Sequence, residues 1–152
     1  MMLYMIWKPN VVVAAVVERD GKFLLVEEEA EGRRVLNQPA GHLDAGETLI
    51  DAVIRETLEE TAWHFVPEAL LGVYRWPHPA GDVTYLRFAF TGHVREHDAQ
   101  RKLDHGIHRA LWLTPGEIRR EQARHRSPQV QRAVDDYLDG RRYPLDLLGE
   151  YS

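Results

Sequence analysis

The chain has 152 residues, of which 44% are hydrophobic and 28% charged, with a formal net charge of -5. This is the length of one ordinary domain with a substantial core, and the mild acidity leaves no electrostatic footprint for a nucleic-acid polymer or an anionic membrane. The absence of cysteine excludes disulfides and thiolate metal sites.

In chain order, the apolar start from Met1 to Val17 is interrupted by Lys8, Pro9 and Asn10, and neither half can span a bilayer. It reads as a buried β-strand rather than a signal peptide, with the cytoplasm as the expected address. Val11 to Glu18 and Phe23 to Glu28 are β-rich runs joined across Asp20-Gly21, a strong short-range hairpin signal. Glu27 to Arg34 reads as a charged, mobile connection, and Val35 to Gln38 as a short strand cut off by Pro39. A loop from Gly41 to Glu47 then precedes a helix from about Thr48, a good cap, to Thr61.

Leu70 to Trp76 and Val83 to Val94 read as strands joined by a turn. The second places Tyr85, Arg87, Ala89 and Thr91 on one face, with Leu86, Phe88 and Phe90 on the other. After a polar loop from Arg95 to His105, Ile107 to Leu113 forms another strand. Thr114-Pro115-Gly116-Glu117 is a capping box with proline at the first helical position. Ser127-Pro128 starts a last helix whose stripe is Val130, Ala133, Val134, Tyr137 and Leu138, ended by Gly140. This order predicts one α/β domain over residues 1–152 with a mixed β-sheet.

The helix after Gly41 carries the chemistry. Wound at 3.6 residues per turn, it places Ile50, Val53, Ile54, Thr57, Leu58 and Thr61 on a core-facing side. Glu56, Glu59 and Glu60 gather elsewhere on the cylinder, because spacings of three and four bring side chains together. Such a cluster calls for a compensating cation, and a hard divalent ion takes carboxylate oxygens. Arg55 stands one turn before Glu59 and two turns after Glu47, within reach of either. It reads as a brace for the carboxylates or as a plain surface ion pair.

Gly41 to Trp63 resembles the signature of the Nudix hydrolase family, G-x5-E-x7-R-E-U-x-E-E-x-G-U, where U is bulky and apolar. Gly41, Glu47, Arg55, Glu56, Glu59 and Glu60 match. Thr57 and Ala62 depart: the Thr57 hydroxyl can bond back one turn, and Ala62 asks for a helix end that does not require a left-handed glycine. The resemblance implies an α/β/α sandwich and Mg²⁺, with Mn²⁺ as an alternative. The ion would be held by Glu56, Glu59, Glu60 and a backbone carbonyl near Ala40 or Gly41, and one glutamate would take a proton from the attacking water. NQPAGHLDAGET, YLRFAF, RSP and RYPLDLLGEY further resemble the NudJ-type phosphatases, which accept nucleoside tri- and diphosphates and thiamine-type pyrophosphates and release orthophosphate.

Arg87, Tyr85, His42 and Gln38 form the expected substrate-binding set. Arg87 reads equally as an exposed strand arginine, and His42 as a structural loop histidine. The further acid that many Nudix enzymes place six residues before a tryptophan, here Trp112, falls on Gly106. Asp104, His105 and His108 stand nearby as replacements or as an ordinary polar loop. Trp7, Trp63 and Trp76 are candidates for base stacking or for packing. Two other functions fit the fold: a nucleoside-diphosphate-sugar pyrophosphatase of the ADP-ribose type, and a binding domain without catalysis. Loss of box glutamates would mark the latter, and here all are present. A small phosphorylated molecule is the expected partner; monomer and homodimer both remain open.

Overall fold

The computed structural model describes residues 5–151. Four strands form a mixed sheet in the order β5-β1-β7-β6: β1 (Asn10–Val16), β5 (Ala40–His42), β6 (His64–Pro77) and β7 (Thr84–Arg95). β1 runs parallel to β7 and antiparallel to β5, while β6 runs antiparallel to β7. A second sheet is built around β3 (Lys22–Ala30), which pairs with β8 (Ile107–Leu113) on one edge. Its other edge takes β2 (Glu18–Arg19) and β4 (Arg33–Asn37).

Alternation along β1 and β7 divides the core. Val13, Ala15, Val17 and Phe90 pack with Ala52 and Val53 of α1 (Leu49–Thr61), beneath Trp112 of β8. Val16 and Ala89 point the other way, toward Ala133 and Val134 of α3 (Pro128–Leu138) and Ile118 of α2 (Pro115–Arg120). Each large apolar side chain so buried contributes ~1.5–3 kcal/mol. The arrangement is an α/β sandwich with the mixed sheet between helices, as expected.

Local signals act where the residues place them. Asp20 and Gly21 both have positive φ, 52° and 78°, the primed hairpin turn. Thr48 accepts from the Asp51 N–H at the start of α1, Thr114 and Glu117 close a capping box on α2, and Ser127 caps α3. The Thr57 hydroxyl donates to the Val53 carbonyl at 2.7 Å.

Several expectations need correction. Glu27 to Arg34 is no mobile connection: β3 continues to Ala30, turns at Glu31-Gly32 and returns as β4. Glu27 and Glu28 are buried there because Arg124 and Arg126 reach them at 3.0 and 2.7 Å. Gly41 lies in strand β5 rather than a loop. The strand expected from Leu70 starts at His64, tolerating Pro67 at a register shift. Met1 to Tyr4 of the expected first strand lie outside the described residues, and Met5, Ile6 and Trp7 are exposed ahead of β1.

Helix α1 is also rotated from its expected stripe. Its buried residues are Ala52, Val53, Glu56, Thr57, Glu60 and Thr61, while Ile54 and Leu58 are only half-buried. Both sheets cover the helix, so a band including two carboxylates turns inward. Ala62 ends α1 in the left-handed region (φ 62°, ψ 16°), its N–H bonded to the Leu58 carbonyl at 2.9 Å. The helix therefore makes the turn that the family signature assigns to glycine, with an alanine in its place.

Candidate active site

Arg55 is the hub of the box. Its Nε and Nη2 donate to the two oxygens of Glu47 at 3.1 and 2.6 Å, and Nη1 donates to Glu56 at 2.8 Å and Glu59 at 3.2 Å. Nη2 also reaches the His42 carbonyl at 3.1 Å and Asp44 at 3.3 Å. The Arg55 hydrogen bonds hold the Glu47 carboxyl below its usual range, and Glu47 in turn raises the guanidinium pKa. One cation thus ties the loop before α1 to three glutamates.

Oxygens of Glu56, Glu59 and Asp104 all lie within 4.8 Å of one another. Asp104 arrives because its N–H donates to the Glu59 carbonyl at 3.0 Å, while the Asp98 N–H bonds the Ala62 carbonyl at 2.9 Å. The polar loop before β8 is stitched to the last turn of α1. Asp104 of that loop reaches the carboxylates, whereas His108, in β8, pairs with Glu29 at 2.9 Å. Sequence held only a weak signal for this choice, an acid two residues before Gly106.

Burial raises the Glu56 pKa against the pull of Arg55. Glu60 lies deeper, where burial pushes its carboxyl up to about 9, opposed by the Ala40 N–H and assisted by Glu28, Glu56 and Asp104. A Cβ on Gly41 would overlap the Glu56 carboxylate, so the glycine is required by close approach. An oxygen-only set of convergent carboxylates, only partly neutralised by Arg55, fits a hard divalent cation.

Glu56 and Glu60 open onto a cavity of about 400 Å³, within the range for a small-molecule site. Strand register builds its floor: His42, Val12 and Arg87 lie in line across β5, β1 and β7. His42 is exposed at the cavity edge, and Tyr85 stacks on Trp76 with ring centroids 6.0 Å apart. Arg87 lines the cavity yet is only 3% exposed, so it is no exposed strand arginine. Gln38 is buried and bonds Arg87 and the Val130 carbonyl. Trp63 stands apart from the cavity, packing against Trp112 and Arg19. Arg126, Ser127 and Gln129 also line the cavity; only the resemblance of RSP hinted at them.

The C-terminal segment supports the same helix. Glu150 accepts from the Leu49 N–H at 3.0 Å, and Leu145 and Leu148 pack against the core beneath it.

The model of the NUDIX domain matches residues 7–134, most of the chain. The chain belongs to the Nudix hydrolase family. This Nudix chain is 38% identical over 146 residues to phosphatase NudJ of Escherichia coli strain K12, covering 96% of this chain and 94% of that protein. A NUDIX hydrolase from Nitrosomonas europaea superposes with a TM-score of 0.93 at 54% identity, over 95% of this chain and 98% of the other. The NUDIX domain of Shewanella oneidensis NrtR complexed with ADP ribose shares the fold, with a TM-score of 0.70 at 17% identity over 88% and 90%. As a Nudix hydrolase, the chain has an enzyme's complement of box residues. Among its described residues no helix is long and apolar enough to cross a membrane.

Proposed function

We propose that this Nudix hydrolase is a Mg²⁺-dependent phosphatase that removes orthophosphate from nucleoside tri- and diphosphates and thiamine-type pyrophosphates. The observation that carries the reading is the convergence of Glu56, Glu59 and Asp104, with Arg55 bonded to both glutamates and Glu56 also lining the cavity. The substrate class follows from the likeness to phosphatase NudJ over nearly the whole of both chains.

Glu56, Glu59 and Asp104 would hold the ion, with Glu60 and the Gly41 backbone beside them. A bound Mg²⁺ neutralises phosphoryl oxygens and acidifies a water, which phosphoanhydride hydrolysis requires. Glu60, kept protonated by burial in the free protein, would once ionised be the glutamate that accepts a proton from the attacking water. Arg55 holds the carboxylate frame in register. Tyr85 and His42 stand at the cavity edge to contact the substrate body, and Gln38 acts from behind by holding Arg87.

Fold neighbours such as the ADP-ribose complex, at 17% identity, share the fold alone and do not carry the nucleoside-diphosphate-sugar reading. The deciding experiment is hydrolysis of a nucleoside triphosphate in ¹⁸O-water with mass analysis of both products. Label in orthophosphate supports the proposal; label in a nucleoside monophosphate, with pyrophosphate as co-product, defeats it.

A further inference from the structure

Arg87 carries a positive charge in the middle of the mixed sheet, and the groups it touches are neutral. Nη1 donates to Gln38 Oε1 at 3.1 Å and Nη2 to Asn37 Oδ1 at 2.8 Å. Among the described residues no carboxylate forms an ion pair with it. The neighbouring Glu28 is committed to Arg126 at 2.7 Å and also accepts from Asn37 Nδ2 at 3.3 Å. Both amides are held in orientation, since Gln38 Nε2 donates to the Val130 carbonyl at 2.9 Å and its oxygen is left for Arg87. Burial pulls the guanidinium down to about 10, and a buried cation without a counter-ion is destabilising. A fold keeps such a charge where something anionic comes to meet it.

A second unpartnered group lines the same cavity. Gln129, 9% exposed, opens α3; Ser127 Oγ accepts from its N–H at 3.2 Å and lies 3.5 Å from its Oε1. Among the described residues Gln129 Nε2 has no hydrogen-bond partner. The N-terminal end of the eleven-residue helix α3 adds its positive pole. β1 separates Arg87 on β7 from the β5 edge where Glu56 and Glu60 stand. This puts the Arg87 backbone about two strand spacings, ~10 Å, from that edge.

We infer that Arg87, Gln129 and the α3 N-terminus form an anion subsite for the phosphoryl groups on the leaving side of the substrate, apart from the carboxylates that meet the attacked phosphorus. This rests on the phosphoanhydride reading above. The substrate's own charge then serves as the counter-ion that Arg87 lacks in the free protein. Groups that grip the phosphates rather than the organic portion would accept many leaving groups, nucleoside and thiamine-type alike.

The test uses the full chain stripped of metal by EDTA, with inorganic pyrophosphate as the probe, so that the carboxylate centre takes no part. Calorimetry and thermal melting should show pyrophosphate binding and raising the melting temperature of the wild type. Arg87→Met, which removes both the charge and the planar fork, should bind at least tenfold more weakly. Gln129→Leu should weaken binding severalfold, and Arg87→Lys, which keeps the charge without the planar fork, about tenfold. If Arg87→Met fails to fold, those two variants decide the matter. No pyrophosphate effect on the wild type, or undiminished binding in both Arg87→Lys and Gln129→Leu, overturns the subsite. Binding as described without orthophosphate release from triphosphates would defeat the phosphatase reading and leave the subsite standing.

Discussion

Arg55 Nη2 donates to Glu47 Oε1 at 2.6 Å, joining the loop before α1 to the middle of the helix. The same guanidinium orders Glu56 and Glu59, so the spacing that allowed Arg55 to reach either Glu47 or Glu59 is used for both at once. Lysine cannot reproduce this planar fork. Arg55→Lys should lower turnover ~10–100-fold and raise the Mg²⁺ concentration needed for half-activity, with little change in melting temperature. An unchanged Mg²⁺ dependence would show that Arg55 is only a surface ion pair.

Glu60 makes stability depend on pH in the metal-free protein. Its folded pKa, about 9, lies above its usual 4.5, so the unfolded chain releases a proton that the folded chain retains. Stability is therefore full below pH 4.5 and declines as pH rises toward 9. Glu60→Gln keeps an acceptor for the Ala40 N–H and removes the titration. Without metal the variant should match wild type near pH 4 and exceed it by ~2 kcal/mol or more at pH 8, while losing orders of magnitude in Mg²⁺-supported turnover. Denaturant melts across that range provide the check. Parallel pH profiles for the two proteins, or near-wild-type turnover of the variant, would sink the assignment.

Gly41 is needed for contact rather than for conformation, because a side chain there would occupy the space of the Glu56 carboxylate. Gly41→Ala should displace that carboxylate, cost ~1–3 kcal/mol through overpacking, and reduce turnover by ~100-fold or more. Circular dichroism should still report a folded protein. Retention of full activity would mean that Glu56 moves without consequence.

Ala62 holds a left-handed backbone at ~1–2 kcal/mol, whereas Ala52 sits in regular helix, and both are buried. Relief of strain should offset the lost methyl group in Ala62→Gly, leaving stability within ~1 kcal/mol of wild type. Ala52→Gly, which has no strain to relieve, should cost ~2 kcal/mol. Equal losses in urea titrations of the two variants would rule out strain at the helix end.

Sequence alone determined the features that residues a few positions apart can settle. These are the Asp20-Gly21 turn, the Thr48, Thr114 and Ser127 caps, the extent of α1, and the approach of Glu56 to Glu59 by three-residue spacing. Each depends on backbone geometry within a turn or two, so neighbouring residues carry the whole signal. Tertiary structure decided the rest. Glu27 and Glu28 looked like a solvated charged run, but Arg124 and Arg126, 97 and 98 residues away, let those carboxylates enter the interior. Periodicity found an apolar stripe on α1, yet coverage by two sheets turned Glu56 and Glu60 inward and so raised their pKa values. Asp104 joined the carboxylates through a backbone bond to Glu59 across 45 residues of chain, and strand register laid Arg87 in the cavity floor. Charge and desolvation depend on what the whole chain brings near a group, and a local pattern contains no record of that.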